Sequence, residues 1–170
     1  MKNVFLTGEK GCGKTTAVKR YLALRGPDCG GFVTLKAPGG SGSGNWLYLL
    51  GSYDEIPSEE NALFCLEEGA ADPGRIKRSF DERGVAALCG AEGKDIIIMD
   101  ELGPREEEAA LFHEAVIRCL DSDTPVLGVL QMAESAFLDT IKERSDTLVL
   151  MVDERNRDAV PGMIAEELDG

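Results

Sequence analysis

Three glycines, two lysines and two threonines lie in the segment that directly follows the first apolar stretch of the chain. Residues 3–7 have the composition of a short buried strand. Residues 15–25 show helical spacing of apolar side chains and end at Gly26-Pro27. A strand, a glycine-rich turn and a helix in this order constrain the fold strongly, because the turn must place the helix start at one end of a sheet. The intervening segment is Gly8-Glu9-Lys10-Gly11-Cys12-Gly13-Lys14-Thr15.

This segment matches the pattern G-x-x-x-x-G-K-[ST] of phosphate-binding P-loops. The glycines allow the loop to curl until successive N–H groups point into one concavity, and the helix adds its dipole there. We expect Lys14 to bridge the β- and γ-phosphates of a nucleotide and the Thr15 hydroxyl to bind Mg²⁺. Thr16 packs or caps the helix, or touches the α-phosphate. The predicted nucleotide-binding residues here are Gly8, Glu9, Lys10, Gly11, Cys12, Gly13, Lys14, Thr15 and Thr16.

A second acidic motif follows the most apolar strand pattern of the chain, residues 95–101. Four consecutive apolar residues indicate a strand that is covered on both faces. Asp100 is the predicted partner of Mg²⁺, since P-loop sites hold the ion with a carboxylate at such a strand end. Glu101 is then placed to orient or deprotonate a water aimed at the γ-phosphate, which makes it, with Lys14, a predicted catalytic residue. The alternative is that Glu101 only caps the following turn.

Strands alternate with helices along the chain, which predicts a three-layer α/β P-loop NTPase fold with a mostly parallel sheet and a RecA-like strand order. We expect a single domain over residues 1–170. Residues 38–45 form a Gly/Ser-rich segment, either a flexible connection or a mobile flap near the phosphates, and residues 51–75 are rich in turns. The other predicted strands are 31–36, 46–50, 125–131 and 147–152; the other predicted helices are 79–89, 105–121, 134–144 and 160–168.

Composition and charge indicate the cellular compartment and limit the classes of binding partner. No apolar run approaches the roughly 20 residues of a membrane span, so we expect a cytoplasmic protein without membrane contact. The net charge of −13 argues against a nucleic-acid-binding surface, and a monomer is expected. The five cysteines form no C-x-x-C pair, and we interpret Cys12 as a tolerated small side chain, with a redox-sensitive thiol as the alternative. The single histidine, His113, is predicted to be structural.

Several segments together resemble the THEP-type nucleoside-triphosphatases, a family that includes a cancer-related human member. The P-loop continues here as Lys14-Thr15-Thr16, as in the P-G-V-G-K-T-T form of the family. Other segments are similar to the family's G-F-x-T, S-F-E, D-E-I-G-x-M-E and E-N-R-[DN]. They are Gly31-Phe32-Val33-Thr34, Ser79-Phe80-Asp81, Asp100-Glu101-Leu102-Gly103-Pro104-Arg105-Glu106 and Glu154-Arg155-Asn156-Arg157-Asp158.

This resemblance implies Mg²⁺-dependent hydrolysis of ATP, GTP and other nucleoside triphosphates to the diphosphate and phosphate, with loose base preference. It also implies that Arg157 lies near the base or ribose. The chain departs from the family pattern at two places. Leu35-Lys36-Ala37-Pro38 replaces a charged segment, and Arg105 stands where the family has methionine.

Two other functions use the same loop. In a nucleotide or small-molecule kinase, residues 52–83 would bind an acceptor and Glu101 would be the acceptor's base. In an NTP-gated module, hydrolysis would time release of a protein partner that contacts Glu106, Glu107 and Glu108. Arg75, Arg78 and Arg83 are either surface residues or parts of a lid that stabilises transferred charge.

Overall fold

One seven-stranded sheet organises the structure. The computed structural model describes residues 2–39, 44–66 and 72–169. In this part of the chain the strands lie in the order β4-β3-β2-β5-β6-β1-β7. β3 pairs antiparallel with both β2 and β4, and all the other pairings are parallel. The strands are β1 (Asn3–Thr7), β2 (Cys29–Pro38), β3 (Asn45–Leu50), β4 (Ala62–Cys65), β5 (Ile96–Leu102), β6 (Val126–Leu130) and β7 (Thr147–Met151).

Helices cover both faces of this sheet. The helices are α1 (Lys14–Arg25), α2 (Pro73–Ser79), α3 (Val85–Cys89), α4 (Ala110–Asp121), α5 (Ala136–Lys142) and α6 (Val160–Leu168), with a π-helical turn, Phe80–Gly84, between α2 and α3. Because side chains alternate along a strand, β1 sends Val4 and Leu6 toward the cluster that contains α1 and α6, and Phe5 toward the cluster that contains α2 to α5. The predicted three-layer α/β fold is confirmed.

The strand order places the two motifs at one end of the sheet. β1, which leads into the glycine-rich segment, and β5, which carries Asp100, both pair with β6 in parallel. One strand therefore separates them, as the predicted RecA-like order requires, and their carboxyl ends open on the same edge. No helix in residues 2–39, 44–66 and 72–169 has the length and hydropathy needed to cross a bilayer.

The region between β3 and β5 differs most from the sequence-based expectation. Residues 62–65 form the edge strand β4 where only turns were predicted, since four residues give too short a pattern to recognise. The helix predicted for 79–89 begins earlier, at Pro73, where the Asp72 carboxylate accepts a hydrogen bond from the Gly74 N–H at 2.9 Å. Residues 40–43 of the predicted Gly/Ser-rich segment lie outside the described residues.

The helix predicted for residues 105–121 begins at Ala110 instead. Residues 104–106 form a short 3₁₀ turn, so Glu106, Glu107 and Glu108 do not stand in the first turn of α4. The helix lacks a side-chain cap of its own, and Asp81 supplies one from the π-helical turn: its Oδ1 accepts a hydrogen bond from the Phe112 N–H at 3.1 Å. This bond fixes α4 against a buried cluster of Phe32, Phe80 and Phe112.

Glu106 is buried rather than exposed, with 2% of its surface accessible. Its Oε1 accepts a hydrogen bond from the Gly103 N–H at 2.5 Å, which closes the turn that follows β5. Burial raises the pKa of Glu106 to about 7, against the opposing effect of that hydrogen bond. The carboxyl group therefore gains a proton on folding at mildly acidic pH.

We predict that Asp81→Ala lowers the free energy of unfolding by about 1–2 kcal/mol, because α4 loses its only side-chain cap among the described residues. Asp139→Ala is the matched control. It removes an exposed carboxylate that pairs with Lys142 at 2.9 Å, and such pairs contribute roughly 0–0.5 kcal/mol. Urea denaturation measures both, and equal effects of the two substitutions would contradict the capping role of Asp81.

A second prediction concerns the pH dependence of stability. A carboxyl group with a raised pKa in the folded state stabilises the fold fully below its ordinary pKa of 4.5, and this contribution is lost as the pH rises through about 7. Wild type should lose up to about 3 kcal/mol of unfolding free energy over this range relative to Glu106→Gln, which keeps an acceptor but cannot ionise. The measurement is urea denaturation at several pH values between 4.5 and 7.5. Glu107→Gln, which changes an exposed neighbour, should follow wild type.

Candidate active site

The glycine-rich segment between β1 and α1 adopts a conformation that requires glycine at key positions. Gly8 has φ 144° and Gly13 has φ 109°, a region that other residues rarely adopt. A Cβ atom on Gly8 would lie 2.3 Å from the Val152 carbonyl oxygen, so the loop also passes too close to the chain after β7 for any side chain. The predicted loop therefore forms at the carboxyl end of β1, and Gly13 is the N-cap of α1.

Lys14 folds back over this loop. Its Nζ donates hydrogen bonds to the carbonyl oxygens of Gly8 at 2.8 Å and Glu9 at 2.9 Å, and the side chain is buried. These contacts hold an ammonium group at the centre of the loop, where a phosphate chain would bring acceptor oxygens. Cys12 is also buried and belongs to the same cluster as Ala17 of α1, which supports the interpretation of a tolerated small side chain. Gly11 and Thr16 are exposed.

Thr15 and Asp100 come together although they are far apart in the sequence. The Asp100 carboxylate, at the end of β5, is 2% exposed and hydrogen-bonds to the side chain of Thr15. Burial raises the pKa of Asp100, and hydrogen bonds from Tyr53 and Thr15 act in the opposite direction. Tyr53 donates its hydroxyl to Asp100 Oδ2 at 2.6 Å, a contact that sequence reasoning missed because no pattern marks that residue.

These oxygens fit a magnesium site. A hydroxyl and a carboxylate are hard ligands of the kind Mg²⁺ prefers, and the two groups that sequence reasoning assigned to the ion are in direct contact. No cluster of three or more His, Cys, Asp or Glu side chains suited to a metal occurs within residues 2–39, 44–66 and 72–169. An ion held here would therefore share its coordination sphere with phosphate and water, as Mg²⁺ commonly does.

Glu101 lies beside this pair and faces the P-loop. Gln131, which follows β6, donates its amide to Glu101 Oε2 at 3.2 Å. Both side chains line a cavity of about 700 Å³ together with Lys14. The complete lining is Gly8, Glu9, Lys10, Lys14, Thr34, Lys36, Leu47, Leu66, Glu101, Arg105, Gln131 and Met132. The carboxylate thus shares one cavity with the groups predicted to hold the terminal phosphate.

Two cations in this cavity were not predicted as site residues. Lys36 lies near the end of β2, and Arg105 lies in the 3₁₀ turn that follows β5. Both positions lie where the chain departs from the THEP-type pattern, which was the only signal that could have marked them. The alternative of an arginine lid receives no support from Arg75 and Arg83. Arg75 donates to the Ala62 carbonyl oxygen at 2.8 Å and Arg83 to Glu55 at 2.8 Å, and neither lines the cavity.

Arg157 lies on the other side of the P-loop. A Cβ atom on Gly13 would be 3.7 Å from the Cβ and Cδ atoms of Arg157, so the arginine packs beside the start of α1. The preceding turn is held by its own side chains: Asp153 Oδ1 accepts hydrogen bonds from the N–H groups of Arg155 and Asn156, and Asn156 Nδ2 donates to the Met151 carbonyl oxygen at 2.7 Å. His113 is remote from the site and stacks on Phe137 at 3.6 Å between ring centroids.

Comparison with known proteins gives matches along nearly the whole chain. The model of the family described as NTPase matches residues 3–165. A nucleoside-triphosphatase THEP1 of Thermofilum pendens is 34% identical over 98% of this chain and 95% of its own length, and one from Methanopyrus kandleri is 31% identical over 98% and 94%.

Two solved structures share the fold. The solution structure of a human cancer-related nucleoside triphosphatase has a TM-score of 0.67 at 22% identity, covering 98% of this chain and 96% of that one. The crystal structure of THEP1 from Aquifex aeolicus has a TM-score of 0.63 at 21% identity, with 99% of each chain covered. On the family match along nearly its whole length, this chain belongs to the NTPase family of P-loop proteins.

Proposed function

We propose that this protein hydrolyses ATP, GTP and other nucleoside triphosphates, in the presence of Mg²⁺, to the nucleoside diphosphate and phosphate. The observation that carries the proposal is the position of Glu101, which lines one cavity with Lys14 and follows directly on Asp100. A carboxylate base beside a phosphate-binding loop is what attack by water requires. The names of the THEP1 relatives support the same activity.

Binding would use the P-loop and the residues beside it. In this proposal the loop N–H groups surround the phosphates, and Lys14 exchanges its contacts with the Gly8 and Glu9 carbonyl oxygens for phosphate oxygens. Thr15 and Asp100 would hold Mg²⁺, which when bound neutralises phosphate charge. Arg157, beside Gly13, would contact the base or ribose. An arginine that stacks on a base discriminates weakly between purines and pyrimidines, which suits loose base preference.

The chemical step would begin at Glu101. Its carboxylate accepts a proton from a water while the water oxygen bonds to the γ-phosphorus, and the bond from that phosphorus to the β–γ bridging oxygen breaks. The diphosphate leaves with the bonding electron pair. Gln131 donates to Glu101 Oε2, and so orients the carboxylate while its other oxygen stays available to the water. Lys36 and Arg105 face the same cavity and would add positive charge near the transferred phosphoryl group.

The two alternatives receive less support. A kinase would need acceptor-binding groups in residues 52–83, but Glu55, Arg75 and Arg83 of this segment bond to the protein itself. An NTP-gated module was expected to present Glu106, Glu107 and Glu108 to a partner, and Glu106 is buried. Hydrolysis without an acceptor is therefore the function that the geometry favours.

Substitution of the proposed base provides a direct test. Glu101→Gln should lower the turnover number at least about 100-fold for every triphosphate hydrolysed, because the amide cannot accept the proton. The dissociation constant for a non-hydrolysable triphosphate should stay within about twofold of wild type. Phosphate release and calorimetric titration measure the two quantities.

Glu108→Gln, an exposed carboxylate outside the cavity, is the control and should retain wild-type turnover. Retained turnover in Glu101→Gln would contradict the assignment of the base. Turnover that appears only after a small-molecule acceptor is added would favour the kinase.

A further inference from the structure

Tyr53 connects a loop that is distant from the P-loop in the sequence to the carboxylate expected to hold Mg²⁺. It lies between β3 and β4, 47 residues before Asp100, and its hydroxyl is 2.6 Å from Asp100 Oδ2. We propose that Tyr53 is a positioning residue that holds the Asp100 carboxylate in the orientation needed for metal binding. This proposal rests on the proposed function, because Tyr53 would support the metal site that the proposed hydrolysis uses.

The direction of the hydrogen bond follows from the chemistry of the two groups. A phenol carries an O–H donor, whereas a carboxylate has only acceptor oxygens. The hydroxyl donates and the carboxylate accepts, in a short bond to a charged group, which is among the stronger kinds of hydrogen bond. Asp100 is thereby fixed from one side by Tyr53 and from another by Thr15.

The ring of Tyr53 is held as well as its hydroxyl. Lys19 of α1 places its Nζ 4.7 Å from the ring centroid, a cation–π distance. Because α1 begins at the P-loop, this contact ties the tyrosine to the helix that carries Thr15. Tyr53 therefore touches both elements from which the metal ligands come.

The loop that carries Tyr53 is fastened at both ends by one carboxylate. Glu55 accepts hydrogen bonds from the Gly51 N–H at 2.5 Å, from Asn61 Nδ2 at 3.0 Å and from Arg83 at 2.8 Å. These bonds join the start of the loop, its end and the π-helical turn. A loop held this way keeps Tyr53 at a fixed distance from Asp100. A residue that orients a metal ligand must be fixed relative to that ligand.

Removal of the Tyr53 hydroxyl should change the affinity for Mg²⁺ more than the affinity for the nucleotide. Outer partners that orient a ligand change metal affinity about 10- to 100-fold when they are removed. Tyr53→Phe keeps the ring and its contact with Lys19 but removes the hydroxyl. We expect about tenfold weaker Mg²⁺ binding in the complex with a non-hydrolysable triphosphate, and nucleotide affinity in EDTA within about twofold of wild type.

The test titrates Mg²⁺ into the full chain with saturating non-hydrolysable triphosphate, and repeats the titration with Mn²⁺ followed by electron paramagnetic resonance. Tyr48→Phe is the matched control. The Tyr48 hydroxyl donates to the Pro38 carbonyl oxygen at 3.3 Å, outside the site, and its loss should leave metal affinity unchanged. Glu55→Ala removes the hydrogen bonds that hold the loop but leaves Asp100 unchanged. It should weaken metal binding, as Tyr53→Phe does.

Wild-type metal affinity in both Tyr53→Phe and Glu55→Ala, or tighter binding in Tyr53→Phe, would overturn the positioning role and leave the proposed hydrolysis intact. Triphosphate binding and hydrolysis by wild type that are equal in Mg²⁺ and in EDTA would overturn both. Equal losses in Tyr53→Phe and Tyr48→Phe would show a general effect on the fold and would also overturn the proposal.

Discussion

The hydrogen bonds to the buried Asp100 carboxylate are the interactions on which the site depends. The bond with Thr15 joins the first turn of α1 to the end of β5, although β6 lies between β5 and β1, the strand that leads to α1. A carboxylate that is 2% exposed is costly unless hydrogen bonds compensate for the water it has lost. Thr15 and Tyr53 supply those bonds. The burial of the carboxylate and its hydrogen bonding are thus aspects of one arrangement, at the position where we propose that Mg²⁺ binds.

The sequence was sufficient to predict six of the seven strands in the described part of the chain, and to place the two motifs at one end of the sheet. Local signals marked these parts: the glycine spacing fixes the loop around Lys14, and an apolar run ending in Asp100-Glu101 marks a buried strand whose carboxyl end faces that loop. Because parallel strands bring their carboxyl ends to one edge, the two motifs could be placed together without knowing any contact. The resemblance to THEP-type proteins added Arg157, which lies beside Gly13.

What could not be predicted depends on contacts between distant segments. The start of α4 is set by Asp81, which caps the helix from 31 residues away. The burial of Glu106 depends on the turn at residues 104–106. The acidic run Glu106-Glu107-Glu108 is typical of a helix start, so this turn was not predicted. Tyr53 contacts Asp100 from a segment whose apolar residues show no periodicity. Lys36 and Arg105 line the cavity, but in the sequence they cannot be distinguished from ordinary surface cations. Such residues carry no local pattern, since their partners lie elsewhere in the chain.

In the proposed reaction this site passes a phosphoryl group to water. The most direct measurement is hydrolysis of ATP and GTP with Mg²⁺ in ¹⁸O-labelled water, with no other acceptor present and the released phosphate analysed by mass spectrometry. We predict that wild type releases phosphate from both nucleotides and that this phosphate carries one oxygen from the solvent. Absence of phosphate release under these conditions, with triphosphate bound and unchanged, would contradict it.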